Sequence, residues 1–161
     1  MSEDDLTKAV QRLEELFGKP SRHTLGASVF VSDSPVACKD LEAFAKSKYQ
    51  HFVGDAWESI GPENWTAPWE LQYHRPEGMC GDILKELEEL EDPATSLAAS
   101  QLTENHDDAQ GAALGLQGVF DSPEIQDVSI YRIGDTEAIT GVLVAGILRT
   151  GNAIALVFLM D

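Results

Sequence analysis

The stretch from Tyr131 to Asp161 is the one segment of this chain apolar enough to run through the middle of a folded domain. Within it, Ala138–Leu148 and Ala153–Met160 are two runs rich in Val, Ile and Leu. They are joined by Arg149-Thr150-Gly151-Asn152, where Gly and Asn can take positive φ, which is a β-hairpin signal. Neither run alternates apolar with polar along its length, so both faces of these strands are expected to be covered, one by helices and the other by more protein. The halves are too short and too interrupted to cross a bilayer as a helix. The hairpin is therefore the expected core, and Asp161 puts a carboxylate at the end of its last strand.

Elements expected upstream follow from spacing and punctuation. Ser2 before Glu3, Asp4 and Asp5 reads as an N-cap with acids in the first helical turn. Leu6, Val10, Leu13, Leu16 and Phe17 then recur at helical spacing until Gly18 and Pro20 end the run. Ala27–Val31 reads as a short strand. Ser34-Pro35 reads as the cap and first residue of a second helix reaching about Tyr49 and burying Val36, Leu41, Phe44 and Ala45. From His51 to Gly78 the texture is aromatic, with Pro and Gly interspersed, and the expectation is irregular chain with a short strand at Glu70–His74. Asp82 caps a short helix with an apolar stripe of Ile83, Leu84, Leu87 and Leu90, which Pro93 is expected to stop. Ala94–Asn105 is polar and rich in small residues. A further helix covers Ala109–Phe120, and Val128–Ile133 opens the terminal sheet. The expected class is α+β: a single domain over residues 1–161 with an extra helical segment at about 80–120. Its antiparallel sheet ends in the C-terminal hairpin, and helices pack on one side, in an αβ layering or, with the second face also covered, an αβα sandwich.

Charge limits the partners. Acidic residues number 28 against 11 basic, a net charge of −17, which disfavours nucleic acid and anionic membrane and favours a basic protein partner. The plain alternative is that such acidity serves solubility. Cys38 and Cys80 form no C-x-x-C pattern and no secretory segment precedes them, so a soluble protein of a reducing, cytoplasmic compartment is expected.

Catalytic and metal signatures are weak. His74 precedes Cys80 by six residues, with Glu77 between, which is no established zinc or nucleophile spacing; a small hydrolase on His74 and Cys80 stands as a third reading. His106-Asp107-Asp108 could hold a metal, but acids at a helix start ordinarily complement the dipole. The pattern calls for no cofactor, no metal of its own and no enzyme activity. What remains is acid on loops beside a rigid sheet: Asp33 after the first strand, Asp135 and Glu137 in the turn before the hairpin, and Asp161 at its end. Such residues commonly serve turns, yet held rigidly they also suit docking into a basic, metal-containing cleft.

Several fragments carry a family resemblance. Phe30-Val31-Ser32-Asp33-Ser34, Tyr131-Arg132-Ile133-Gly134-Asp135, Val142-x-Val144-x-Gly146 with Gly151-Asn152, and Gly61-Pro62-Glu63-Asn64-Trp65 occur in the order seen in the nuclease A inhibitor family. The chain resembles that family of small acidic inhibitors of magnesium-dependent, sugar-non-specific endonucleases over the first strand and the last third. The resemblance implies the family's α+β fold and inhibition by plugging, with acids standing in for DNA phosphates. By position, Asp33 would reach toward the nuclease's metal-bound water, Asn64 and Trp65 would lie in a contact loop, and Asp161 would approach the partner's metal. The alternative is an interaction module of the same fold with an unrelated partner, using the aromatic stretch Trp57–Tyr73 as its contact surface.

Overall fold

A computed structural model describes residues 3–18, 25–75, 81–104, 106–123, 125–135 and 138–160. Helix α1 (Glu3–Phe17) turns Leu6, Val10, Leu13 and Phe17 inward and leaves Leu16 half-buried, as its spacing dictates. It ends at Gly18, whose φ of 107° and close approach to the Ala27 carbonyl leave no room for a Cβ. The Gly18 carbonyl then accepts the Val29 N–H at 2.9 Å, tying the helix end to the first strand.

That strand, β1 (Gly26–Pro35), is longer than its sequence suggests, and Ser34-Pro35 does not start a helix. Pro35 pairs with Asn152 as the last residue of an edge strand, a position where a missing N–H is tolerated. A single 3-10 turn (Cys38–Asp40) follows, and helix α2 (Leu41–Val53) begins six residues after Pro35. Two five-residue helices, α3 (Ala56–Ile60) and α4 (Pro62–Thr66), occupy part of the stretch expected to be irregular. One turn is too short to show a helical period, and Gly61 at φ 116° separates the two. Strand β2 (Glu70–His74) lies where expected.

Asp82 caps α5 (Ile83–Glu88), its Oδ1 accepting the Lys85 N–H at 3.2 Å. Pro93 opens a helix where it was expected to close one: Asp92 is the cap and Pro93 the first residue of α6 (Pro93–Leu102). Asp92 Oδ2 accepts both the N–H and the hydroxyl of Thr95, at 2.9 and 2.7 Å. Thr95, Ala98, Ala99 and Leu102 form the buried face. Helix α7 (Ala109–Phe120) leads into β3 (Ile125–Gly134), β4 (Thr140–Leu148) and β5 (Asn152–Met160).

The five strands make one antiparallel sheet in the order β1-β5-β4-β3-β2. Both of its faces are covered, so helices pack on two sides and not one, giving the αβα sandwich. Val142, Val144, Ile154 and Leu156 meet α1, α5, α6 and α7 on one face. Their strand neighbours Leu143, Ala145, Ala155 and Val157 meet α2, α3 and α4 on the other. Period-two alternation thus divides one apolar hairpin between two cores.

Candidate partner-binding site

Asp33 is exposed at the tip of β1, and the backbone beneath it is fixed. The β1–β5 register breaks between Val31, opposite Ile154, and Pro35, opposite Asn152, so β1 carries two extra residues here. Side chains close the gap. Ser32 Oγ accepts the Ala153 N–H at 2.9 Å and donates to the Ser34 carbonyl at 2.6 Å, while Asn152 Nδ2 donates to the Ser32 carbonyl at 2.6 Å. Thr150 Oγ1 donates to Asn152 Oδ1 at 2.9 Å and orients that amide. The β4–β5 turn joins in through the Gly151 carbonyl, which accepts the Val36 N–H at 2.9 Å. Gly151, at φ 93°, lies against Pro35, where a Cβ would come within 3.2 Å of the ring. Beside this tip a groove of about 360 Å³ runs under α1, floored by Leu6, Val10, Val31 and Leu148.

A second group of polar side chains lies near the same end of the sheet. Between Gln126 and Ser129, β3 has one more residue than β4, and Asp127 takes a φ of 56° in that bulge. Cys38 Sγ donates to Asp127 Oδ2 at 2.7 Å, and His74 Nε2 stands 3.7 Å from Asp127 Oδ1. A carboxylate thus lies between these two groups, whereas nucleophilic catalysis by cysteine wants the imidazole itself against the thiol. Cys80, the thiol of the hydrolase reading, lies outside the described residues.

At the other end of the sheet, Asp135 and Tyr49 are used internally. Asp135 is buried: its Oδ1 accepts the Ile139 N–H at 2.9 Å, and its own N–H donates to the Ile139 carbonyl at 3.0 Å. The Tyr49 hydroxyl accepts the Gly134 N–H at 3.1 Å and lies 2.8 and 2.9 Å from the carbonyls of Trp65 and Gly134. Burial pushes that phenol far above its ordinary pKa. Trp65, expected in a contact loop, is a core residue with no exposed surface, its indole N–H donating to the Ala56 carbonyl at 3.0 Å. Its amphipathic ring is satisfied inside, stacked 6.4 Å from Trp57. Asn64 is half-buried and donates to the Ile60 carbonyl at 2.8 Å. Glu137 and Asp161 lie outside the described residues.

Asp33 and Asp135 therefore do not converge. Asp33 sits beside the start of β5, whereas Gly134 pairs with Thr140 and Thr140 with Met160. The intervening residues of β5 span roughly 20–25 Å. The aromatic stretch is likewise divided: Trp57 and Trp65 are buried and Trp69 half-buried, leaving Ile60, 41% exposed, and Leu71, 50% exposed, as its outward-facing large apolar side chains.

His106 is committed to the fold. Its Nδ1 accepts the Asp108 N–H at 3.0 Å, so Nε2 carries the proton and donates to the Leu16 carbonyl, 3.2 Å away, near the end of α1. Asp108 caps α7 through the Gly111 N–H. Among the described residues no group of three His, Cys, Asp or Glu side chains is arranged to hold a metal ion, and no helix is long and apolar enough to cross a membrane. The backbone lock under Asp33 escaped sequence reasoning because Ser32 and Asn152 are 120 residues apart, and serine and asparagine near turns have common local uses. Comparison with known protein families, with curated proteins and with solved structures finds no match to this chain.

Proposed function

We propose that this chain is a non-catalytic, acidic binding protein that presents the Asp33 end of its sheet to a basic protein partner, and that the partner is a metal-dependent, non-specific nuclease. The observation that carries the reading is the exposed Asp33 on a backbone locked by Ser32, Asn152 and Gly151. A carboxylate carried on a backbone fixed in this way costs little further backbone ordering on binding, so its charge is available for a cationic or metal-containing cleft. The charge of −17 supports the same choice of partner by steering it toward a basic surface. Resemblance to the nuclease A inhibitor family supplies the partner class. With Asp135 and Trp65 turned inward, the proposed contact centres on Asp33.

Cleavage of plasmid DNA by a magnesium-dependent non-specific nuclease, followed with increasing amounts of this protein, tests the reading. Wild-type protein is expected to stop cleavage near stoichiometry. Asp33→Ala is expected to need at least about ten times more protein, the effect of losing about 1.4 kcal/mol or more of binding. Unimpaired cleavage in stoichiometric excess of wild-type protein overturns the nuclease assignment.

A further inference from the structure

A second concave surface lies away from Asp33. A groove of about 450 Å³ lies between α5, α6 and α7, floored by Leu84, Leu87, Ala99, Ala109 and Ala113. Its α6 wall is Ser96 and Ser100, continued by Thr103 just past the helix end, so no long side chain of that helix fills the trough. Glu88 and Glu104, both exposed, stand on its rim. Leu97 is 52% exposed and shares a helical face with Ser100, three residues on, which extends the apolar surface outward. Leu114, 50% exposed, follows Ala113 on α7.

Charge selects the occupant. From Asp82 to Asp108 the chain carries nine Asp and Glu residues and one Lys, with no Arg. Glu86 and Asp92 are engaged with Arg75 and Arg132, and the rest leave the surroundings of the groove strongly negative. A second copy brings the same charge of −17 against itself, and nucleic acid or an anionic bilayer is repelled. An apolar trough walled by small side chains with an anionic rim matches a helix that carries leucine-like anchors on one face and Lys or Arg on the flanks. We propose that the α5–α6–α7 groove docks a cationic amphipathic helix of another protein.

The probe is a synthetic leucine–lysine peptide of about four turns with leucine at helical period. It is titrated into isotopically labelled protein at about 0.15 M salt, where long-range attraction is screened. The amide signals of Ala99, Ala109 and Ala113 are expected to shift. A peptide of the same composition with leucine at every second position, and a leucine–glutamate peptide at helical period, are expected to bind at least tenfold more weakly. Glu88→Lys with Glu104→Lys, both on exposed positions, is expected to weaken the first peptide tenfold or more; Ala113→Arg, with its fold checked by circular dichroism, does the same by filling the floor. Equal binding of the alternating peptide reduces the effect to bulk charge and overturns the proposal. So do shifts confined to the Asp33 end, or unchanged affinity in the rim variant. The rim variant is expected to act on DNA cleavage as wild type does, so the groove and the nuclease reading fail separately.

Discussion

Arg75 is almost fully enclosed. Its Nε and Nη2 donate to the two oxygens of Glu86 at 2.9 and 2.5 Å, its Nη1 donates to the Phe120 carbonyl at 2.5 Å, and Nη2 lies 3.5 Å from Asp121. Burial works against the cation, but Glu86 and Asp121 hold its pKa above the ordinary value. Asp121 is pushed up, first by burial, although the Ile83 N–H at 2.7 Å and Arg75 oppose that shift. Arg75→Ala leaves two poorly hydrated carboxylates facing each other, and a loss of about 3–5 kcal/mol is expected in urea denaturation at neutral pH. The sign with pH follows: a carboxyl whose folded pKa is raised favours the native state at low pH and disfavours it once ionised. The deficit of the variant is therefore expected to shrink as pH falls through the carboxylate range, and a deficit that grew instead would contradict this account. The network was invisible in the sequence because Arg75 lies 46 residues from Asp121, and long-range partners have no period. The same limit governed the candidate site. Asp33 was legible as a strand-end acid, whereas Asp135 and Trp65 look identical in sequence whether they face solvent or close a turn and fill a core.

Helix α6 begins at a dipeptide with two opposite meanings. Asp92-Pro93 has the pattern of a stop for α5 but is the start of the next helix, because Pro is as well suited to the first helical turn as to ending a helix. The buried face at Thr95, Ala98, Ala99 and Leu102 has correct helical spacing, but its residues are too small and polar to stand out by hydropathy. The strand expected at Ala27–Val31 is shorter than β1 for a related reason: Ser34-Pro35 has the local pattern of a helix start, whereas Asn152, which pairs with Pro35, lies at the far end of the chain. By contrast α5 and α7 were legible from their helical spacing, the β4–β5 hairpin from its turn, β2 from its apolar and polar alternation, and α1 from its period alone, its expected cap Ser2 lying outside the described residues. Asp92 also accepts from Arg132 Nη1 at 3.1 Å, fastening α6 to β3. Burial raises that carboxyl, but the bonds from Thr95 and Arg132 prevail and hold it below the usual carboxylate range. A depressed folded pKa contributes stability that is complete above the unfolded value of about 3.9 and is lost as pH falls through the folded value. Asp92→Asn, which keeps a cap but not the charge, is expected to lower stability by about 1 kcal/mol at pH 7 and to approach wild type as pH falls below the usual carboxylate range. Parallel stability curves for the two proteins across that range would refute the assignment.

For the whole molecule, the two cores differ in chemistry. All three tryptophans belong to the α2–α4 layer, where Tyr49 meets Trp57 at 5.3 Å and Trp69 stacks on Tyr131 at 4.5 Å, whereas the α1 and α5–α7 layer is built mainly of aliphatic side chains. Indole emission therefore reports one layer and far-ultraviolet circular dichroism reports both. Because Leu143, Ala145, Val142 and Val144 share one strand, loss of either layer exposes the strand that supports the other. The two signals are expected to give coincident urea transitions; an indole transition at lower urea would show the layers separating. Coverage of both faces was legible in the unbroken apolar runs of β4 and β5, while the sharing of helices between faces was not, because it depends on connections and not on composition.

The place of β5 in the sheet has a consequence for how the chain is made. Its neighbours are β1 and β4, which do not pair with each other, so without β5 the sheet exists in two pieces: β1 alone, and the β2–β3–β4 ribbon. Synthesis delivers Asn152–Met160 after every other described element. Until those residues leave the ribosome, β1 has no strand to pair with and both hydrophobic layers lack their middle. The sheet can therefore close only after β5 has been made, by an insertion that joins residues more than a hundred positions apart.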